Sequence, residues 1–501
     1  MKNKIGVCRA LLLVGMGLMI PCYLFTAGNT LLSPWPLYDR NRLALCLLTP
    51  LCLLLLLLLG RAAKAKVFET HERAVLLGFA AFYFVIQLVM ASALRFTPVT
   101  DLEQCVTAAR RLAQTGAFGD SERSLIYFGR YPHNMGLVYL LAGIFKAADA
   151  LGADELMAAA LVCGLLFSMG LLCAARLCRR LGGAQAQARA LLLFATCLPF
   201  LYCTSELYTD AFSVAFAPMI VFAFLKARDA GSRKERSLWA LLFAVCTFFG
   251  AQIRFPTIIA AIACLIAALF EKRAKLTALL AAPLALVFAV GGSAVNAANK
   301  ANLGAANIAQ NKLPKLHYIA MGLPVQSDEG YGQYGYGGWL IFSTSFDDPQ
   351  ARDEALRQEV VDRAYTLAHH PAQLLSTLSR KNLSTFGRGT FNLNEIFEAD
   401  AHEADNAVKQ AVFENGRFNR AYTHLATAMF VAQMALACIA CIQAIRRRDT
   451  HAAPLFLTLL GAFLFLSIWE TRARYFFQFM MILLCAGAMF ETPSTHAAQK
   501  A

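Results

Sequence analysis

Residues 43–59 read LALCLLTPLCLLLLLLL and residues 74–94 read AVLLGFAAFYFVIQLVMASAL, and these two runs decide the fold class. A helix rises 1.5 Å per residue, so about 20 apolar residues cross the roughly 30 Å of hydrocarbon in a bilayer. No polar stripe interrupts either run, which excludes the amphipathic pattern of a soluble surface helix. In lipid a backbone must satisfy its amides within itself, and each run therefore predicts a helix. The pattern recurs along the chain, in segments 10–29, 43–60, 74–94, 132–150, 156–175, 189–204, 209–226, 237–253, 256–270, 276–295, 422–445, 453–469 and 475–490. Composition agrees: 58% of the residues are hydrophobic and 16% charged, against about 25% charged in a soluble domain. The expected fold class is an all-α polytopic membrane protein with 12–13 transmembrane or re-entrant helices. The first run follows Lys2, Lys4 and Arg9 as a signal peptide would, but no small-x-small cleavage site precedes the next run, so it reads as a retained anchor.

The net charge of +14 is concentrated in short linkers. Arg61, Lys64, Lys66 and Arg73 form one cluster, Arg176, Arg179 and Arg180 a second, and Lys226 to Arg236 a third. Lys272, Arg273 and Lys275, then Arg446, Arg447 and Arg448, complete the series. Such linkers mark cytoplasmic loops facing anionic headgroups, so no nucleic-acid partner is expected. All five fall on one side only if one of the thirteen segments does not cross. The exception is 132–150, bounded by Tyr131-Pro132 and by Lys146, Asp149 and Gly152, which lies in the interface or dips in and returns. Twelve crossings then leave both termini inside, with membrane lipids around the bundle. The fifteen cysteines lie mostly in apolar runs, and a disulfide framework is not expected.

This orientation puts 95–131, 205–208 and 296–421 outside. Within the first, Leu102 to Leu112 reads as an amphipathic helix on the membrane surface. The third holds a flexible aromatic loop, Gly330 to Trp339, then a polar helix pattern from Asp353 to Leu378 broken near His370-Pro371, then an Arg-, Asn- and Gly-rich stretch from Arg380 to Asn394. The chain thus divides into a bundle at 1–295 with external loops, a lid or small subdomain at 296–421, and C-terminal membrane helices at 422–501. A cap without substrate contact is the other reading of 296–421.

Ionisable residues at these outer turns are the candidate site. Asp101 follows a Pro98 turn; it either caps a helix or projects into a cavity as a general base. Glu206 and Asp210 stand four apart, on one face if that stretch is helical, and either cap a helix start or serve a site at membrane depth. Asp101 and Asp210 are also the candidate ligands for a divalent cation, Mg²⁺ or Mn²⁺, the one cofactor considered. Arg254, Arg472 and Arg474 run against the charge bias, and either grip a phosphate or snorkel to headgroups, with Glu470 placed to fix a neighbour.

The order of these features resembles the membrane glycosyltransferases of the C-type superfamily, in particular bacterial relatives of protein mannosyltransferases and aminoarabinose transferases. The features are Asp101 in the first external loop, Arg130-Tyr131-Pro132 before an apolar segment, the basic Arg176 to Gly183 linker, Tyr208-Thr209-Asp210 at the second outer turn, and Glu470 to Tyr475 late in the chain. The resemblance implies a bacterial cytoplasmic-membrane transferase that takes a sugar from a polyprenyl-phosphate donor on the outer face. The acceptor would be a cell-wall, lipid or protein group. Asp101 would activate it, with Asp210 and Glu206 as further catalytic carboxylates. Arg254, Arg472, Arg474, Arg130 and Tyr475 would bind the donor, and Glu103, His133, Tyr208 and Glu470 would serve the acceptor or assist. Glu103 does not complete the paired-acid motif of some relatives. The alternative is a lipid-linked glycan flippase, transporter or polymerase, which would use interrupted mid-membrane helices or internal repeats.

Overall fold

The computed structural model describes residues 2–33, 41–63, 65–94, 97–119, 121–326, 329–393, 406–413 and 416–491. Lys64 and Asn394, named above, lie outside these. The described residues form helices and connecting turns and no strand, and eight helices are long and apolar enough to cross a membrane.

The first traverse is α1 (Lys2–Gly17) with α2 (Met19–Leu32), and the second is α3 (Arg42–Ala62). Asn41 caps α3 by accepting from the Ala44 amide, 3.1 Å away. The leucine run of α3 sorts by helical spacing: Leu43, Leu47, Leu51, Leu54 and Leu58 are exposed while Leu45, Thr49, Cys52 and Leu56 are buried. One face therefore meets lipid and the other meets the bundle. The third traverse is α4 (Ala65–Ala93), after which α5 (Thr100–Thr115), α6 (Glu122–Arg130) and α7 (Met135–Ala150) follow before α8 (Glu155–Ala195).

Segment 156–175 and the first part of 189–204, as far as Ala195, form the two legs of α8, which reverses direction at the non-helical Gly182 and Gly183, and short 3-10 turns at Leu198–Leu201 and Cys203–Ser205 follow. Gly183 has φ 73° and ψ −169°, a region open in practice to glycine alone. The legs run antiparallel, because Arg179 and Gln187 both reach Glu72 at the start of α4. Farther along, Ser168 bonds the Ala80 carbonyl and the Phe194 carbonyl accepts from Tyr83. From the second leg the chain returns through α9 (Thr209–Ser213) and α10 (Phe216–Asp229), then through α11 (Arg233–Ile253), α12 (Ile258–Phe270) and α13 (Ala274–Leu303).

Contacts gather the five basic linkers at one end of the bundle. Gln185 bonds the carbonyls of Gly60 and Ala63. Arg180 pairs with Asp229, and Arg228 with Glu271. Arg9 reaches the Arg448 carbonyl, Arg447 pairs with Glu491, and Arg189 reaches the Phe490 carbonyl beside Glu491. α4 leaves this end and the first leg of α8 returns to it, so α5, α6 and α7 lie together at the opposite end. α7 starts beside α5's first turn, through Asn134, Tyr127 and Asp101, and the chain after it is tied to α5 by the Arg110–Glu155 pair. Segment 132–150 thus runs alongside α5 and adds no net crossing. Counting the two legs of α8 separately, the described chain traverses the bundle twelve times.

Between α13 and α20 (Asn419–Arg446) lie α14 (Ala305–Asn311), α15 (Lys315–Gly322), α16 (Trp339–Thr344), α17 (Pro349–His369), α18 (Pro371–Phe386) and α19 (Ala407–Val412). Proline opens both α17 and α18, and the break falls at His370. Ala320, Met321, Trp339 and Leu356 form a small core of their own here. The Gly330–Trp339 loop, expected to be flexible, is pinned to the late motif. Thr471 donates from its amide to the Gly332 carbonyl and from its hydroxyl to the Tyr331 carbonyl, both at 2.8 Å. α21 (Ala453–Ile468), α22 (Arg474–Phe477) and α23 (Met480–Ala488) complete the bundle.

Candidate active-site cavity

At the end opposite the basic linkers, a cavity of about 1030 Å³ lies among α5, α6, the starts of α7, α9, α12 and α22, the ends of α11, α13 and α21, and the α14–α15 region. That volume is at the upper end of small-molecule sites. Asp101 lines it from the first turn of α5. It does not cap that helix: the cap residue is Val99, which makes no side-chain cap bond. The preceding Thr100 has φ 54°, a left-handed conformation costly for a β-branched residue, and it aims the first turn at the cavity. Tyr127 of α6 donates to Asp101 Oδ1 at 2.8 Å and accepts from Asn134 Nδ2 at 3.0 Å. Burial, then the nearby Tyr208 and Asp101, push the Tyr127 phenol far up, so it keeps its proton and stays a donor. Gly136 permits this assembly, because a Cβ there would stand 2.2 Å from the Gln252 carbonyl.

Two arginines enter from the other wall. Arg254, at the end of α11, pairs with Asp210 Oδ1 at 3.1 Å, donates to the Thr209 hydroxyl at 2.7 Å and lies 4.4 Å over the Tyr475 ring. Arg474 lies 3.5 Å from Asp210 Oδ2, 3.9 Å from Asp101 Oδ2 and 5.3 Å over the Tyr208 ring. Both guanidiniums are thereby fixed in direction and face the cavity. Arg472 also lines it and donates to the Tyr334 carbonyl at 3.2 Å. Glu470 accepts from the Tyr475 hydroxyl, and burial raises its carboxyl against that bond and the neighbouring arginines. His133 lines the cavity and is exposed along it, with protein packed closely around the ring. Desolvation holds its imidazole down at about 4 despite the pull of Asp101, with Arg254 and Lys312 pushing the same way as burial. Glu103 and Arg130 line the cavity too.

Asp210 and Glu206, expected beside Asp101 as catalytic carboxylates, are closed off from the cavity. Asp210 is 0% exposed and Glu206 1%, and a group without access to the cavity cannot touch a substrate held there. Nor do they share a continuous helix, since Leu207 between them has φ 49°. Asp210 instead anchors Arg254 and Arg474. Burial and the Asp210 charge raise the Glu206 carboxyl well above the ordinary range, against the two arginines, which keeps the pair from carrying two negative charges. The residues do not fit the divalent cation either. The Arg474 guanidinium stands between the carboxylates of Asp101 and Asp210, and no group of three His, Cys, Asp or Glu side chains suited to a metal occurs among the described residues.

Residues 42–495 match the family described as conserved hypothetical integral membrane protein. The chain belongs to this family. No curated protein and no solved structure matches the chain. The match to an integral membrane family over most of the chain agrees with the all-helical bundle. Tyr127 and Asn134 are the functional candidates that sequence reading missed. The available indication was helical spacing: Tyr127 lies on one face with Arg123 and Arg130 of α6.

Proposed function

We propose that this protein is a membrane glycosyltransferase that takes a sugar from a polyprenyl-phosphate donor, with Asp101 as general base. The observation that carries this is the pairing of Asp101 with Arg474 across one cavity. An accessible, hydrogen-bonded carboxylate stands 3.9 Å from a guanidinium whose direction is fixed by a buried Asp210. A base and a phosphate-binding group so close suit attack of a hydroxyl on a phosphate-bearing carbon. The acceptor oxygen forms a bond to the anomeric carbon as the bond from that carbon to the phosphate oxygen breaks. The hydroxyl proton goes to Asp101 and the polyprenyl phosphate departs toward Arg254, Arg472 and Arg474. A single displacement inverts the anomeric centre. The leaving phosphate needs no second carboxylate to protonate it, unlike glycoside hydrolysis.

A lipid-borne donor is favoured by α13. Gly292, Val295, Asn296 and Asn299 of this helix line the cavity, while Leu286 and Val290 are 63% and 64% exposed. One wall of the site is thus a helix open to lipid. A stack of Tyr318, Trp469 and Phe465, with successive ring centroids 5.1 Å apart, continues the apolar lining into α21. The positive-inside rule places the basic end in the cytoplasm and the cavity at the outer face.

The test is Asp101→Asn in nanodiscs, with donor binding and product formation measured separately. Asn keeps the size but cannot take a proton, so transfer should fall by at least about 10²-fold with donor binding retained. Near-normal transfer would remove Asp101 from this role. Donor movement across the bilayer without glycosidic product, in the unsubstituted protein, would move the reading to a flippase or transporter.

A further inference from the structure

We propose that the cavity holds a second anion-binding subsite on α6 and the 312–315 segment, and that it binds an anionic acceptor. The proposal rests on the transferase reading of the same cavity. Arg123, Ile126, Tyr127 and Arg130 recur at helical spacing, and all four line the cavity from one face of α6. Lys312 and Lys315 line it beside them, and the Leu313 amide donates to the Arg130 carbonyl at 3.2 Å, which stitches this segment to the end of α6. Among the described residues, none of these four cations forms a salt bridge, although Lys315 lies 4.8 Å over the Phe255 ring. Arg254 and Arg474, by contrast, are already committed to Asp210 on the other wall.

Tyr127 sits between Arg123 and Arg130 on α6 and holds Asp101, while Arg474 approaches Asp101 from the other side. Asp101 therefore stands between two cationic walls. If the donor phosphate takes the Arg254 and Arg474 wall, the hydroxyl that Asp101 deprotonates belongs to a molecule lying against α6. Four cations there, with Glu103 as a carboxylate on the neighbouring helix, suit a hydroxylated acceptor that also carries a phosphate or carboxylate. The proton path to Asp101 remains open, since Tyr127 uses only Oδ1.

The experiment uses the full chain in nanodiscs and the double variant Arg123→Gln/Lys312→Gln, both side chains being exposed and outside the buried core. Glucose 6-phosphate serves as the probe for an anionic acceptor, glucose as its uncharged control, and a polyprenyl monophosphate and diphosphate as donor probes. The expected result is that glucose 6-phosphate binds in preference to glucose and weakens with salt. The double variant should lose about tenfold or more of that affinity while keeping both lipid affinities within about twofold, as loss of charge-assisted hydrogen bonds at a separate site requires. Equal binding of glucose and glucose 6-phosphate would overturn the subsite. So would an equal loss of polyprenyl monophosphate binding in the double variant. Selective loss of diphosphate binding, with glucose 6-phosphate unaffected, would give the second anionic group to the donor and overturn the acceptor assignment. If the unsubstituted protein binds glucose 6-phosphate through these residues but binds neither lipid, the donor reading fails and the anion subsite stands.

Discussion

Asp101 depends on a hydroxyl that a sequence does not connect to it. Tyr127 lies 26 positions away, on a different helix, and its phenol is the hydrogen bond that fixes the Asp101 carboxylate. Phe at 127 keeps the ring, its edge contact with Phe128 at 4.9 Å and its fit beside Tyr131. It removes one donor to Asp101 and one acceptor for Asn134. Loss of such a bond is commonly worth about 0.5–1.5 kcal/mol, or more with a charged partner, so Tyr127→Phe should lower kcat about tenfold. The donor KM and the unfolding temperature should barely move. A parallel fall in stability and donor affinity would make Tyr127 a packing residue, whereas recovery of kcat by a further donor at this site would support positioning. That Asp101, Arg254 and Arg474 line one cavity was legible in the sequence, because charge at a turn between apolar runs stands out. The enclosure of Asp210 and Glu206 was not, because spacing says which residues share a turn but not which side of a cavity wall they occupy.

Among the elements, α18 links the 305–386 helices to the membrane bundle through one buried cation. Lys381 is 1% exposed and donates to the Trp469 carbonyl at 2.7 Å, at the end of α21, and to the Gly322 carbonyl at the end of α15. Two helix C-termini thus share one ammonium, as the partial negative charge of a helix end favours. Lys381→Met keeps most of the volume but orphans two buried carbonyls, each worth about 1–3 kcal/mol, offset in part because no charge is then buried. Burial lowers the Lys381 pKa from 10.5 to about 7, with Glu470 opposing the shift. The folded chain therefore holds fewer protons than the unfolded chain between about pH 7 and 10.5, and this group makes stability rise across that window. Thermal unfolding of the two proteins at several pH values should show a difference that is level below about pH 7 and grows above it. A pH-independent difference would sink the titration of Lys381 in the folded state. The break between α17 and α18 was readable from His370-Pro371, since proline cannot continue a helix. The reversal inside α8 was readable as well, since the basic 176–188 linker separates the apolar runs 156–175 and 189–204 and the chain turns within it at Gly182-Gly183.

At the scale of the whole molecule, the charge pattern and the contacts give one sidedness. Linkers separated by hundreds of residues meet at one end through pairs such as Arg9 with the Arg448 carbonyl and Arg447 with Glu491. The apolar runs and linker charges therefore carried the topology, including the absence of a net crossing at 132–150. The placement of 305–386 over the cavity needed the long-range Tyr318–Trp469 stack and the Thr471 bonds, which no local pattern encodes.

Orientation decides what the cavity can meet. Ile341 and Tyr365, on α16 and α17, are 76% and 64% exposed at the cavity end, while Gly231 is exposed in the basic linker between α10 and α11. The described cysteines are buried or half-buried, so a single new thiol at any of these positions stands out against them. With basic linkers inside, Ile341→Cys and Tyr365→Cys should react with an impermeant thiol reagent in intact cells, and Gly231→Cys only after permeabilisation. The three substitutions lie on opposite ends of the bundle, so they must label in opposite senses whatever the orientation. The reverse pattern would turn the cavity toward the cytoplasm, where a soluble nucleotide-sugar could reach Asp101, and would remove the case for an outer-face lipid donor. Labelling of all three in intact cells would instead mean that the cells leak, and a permeabilisation control on Gly231→Cys separates that result from either topology.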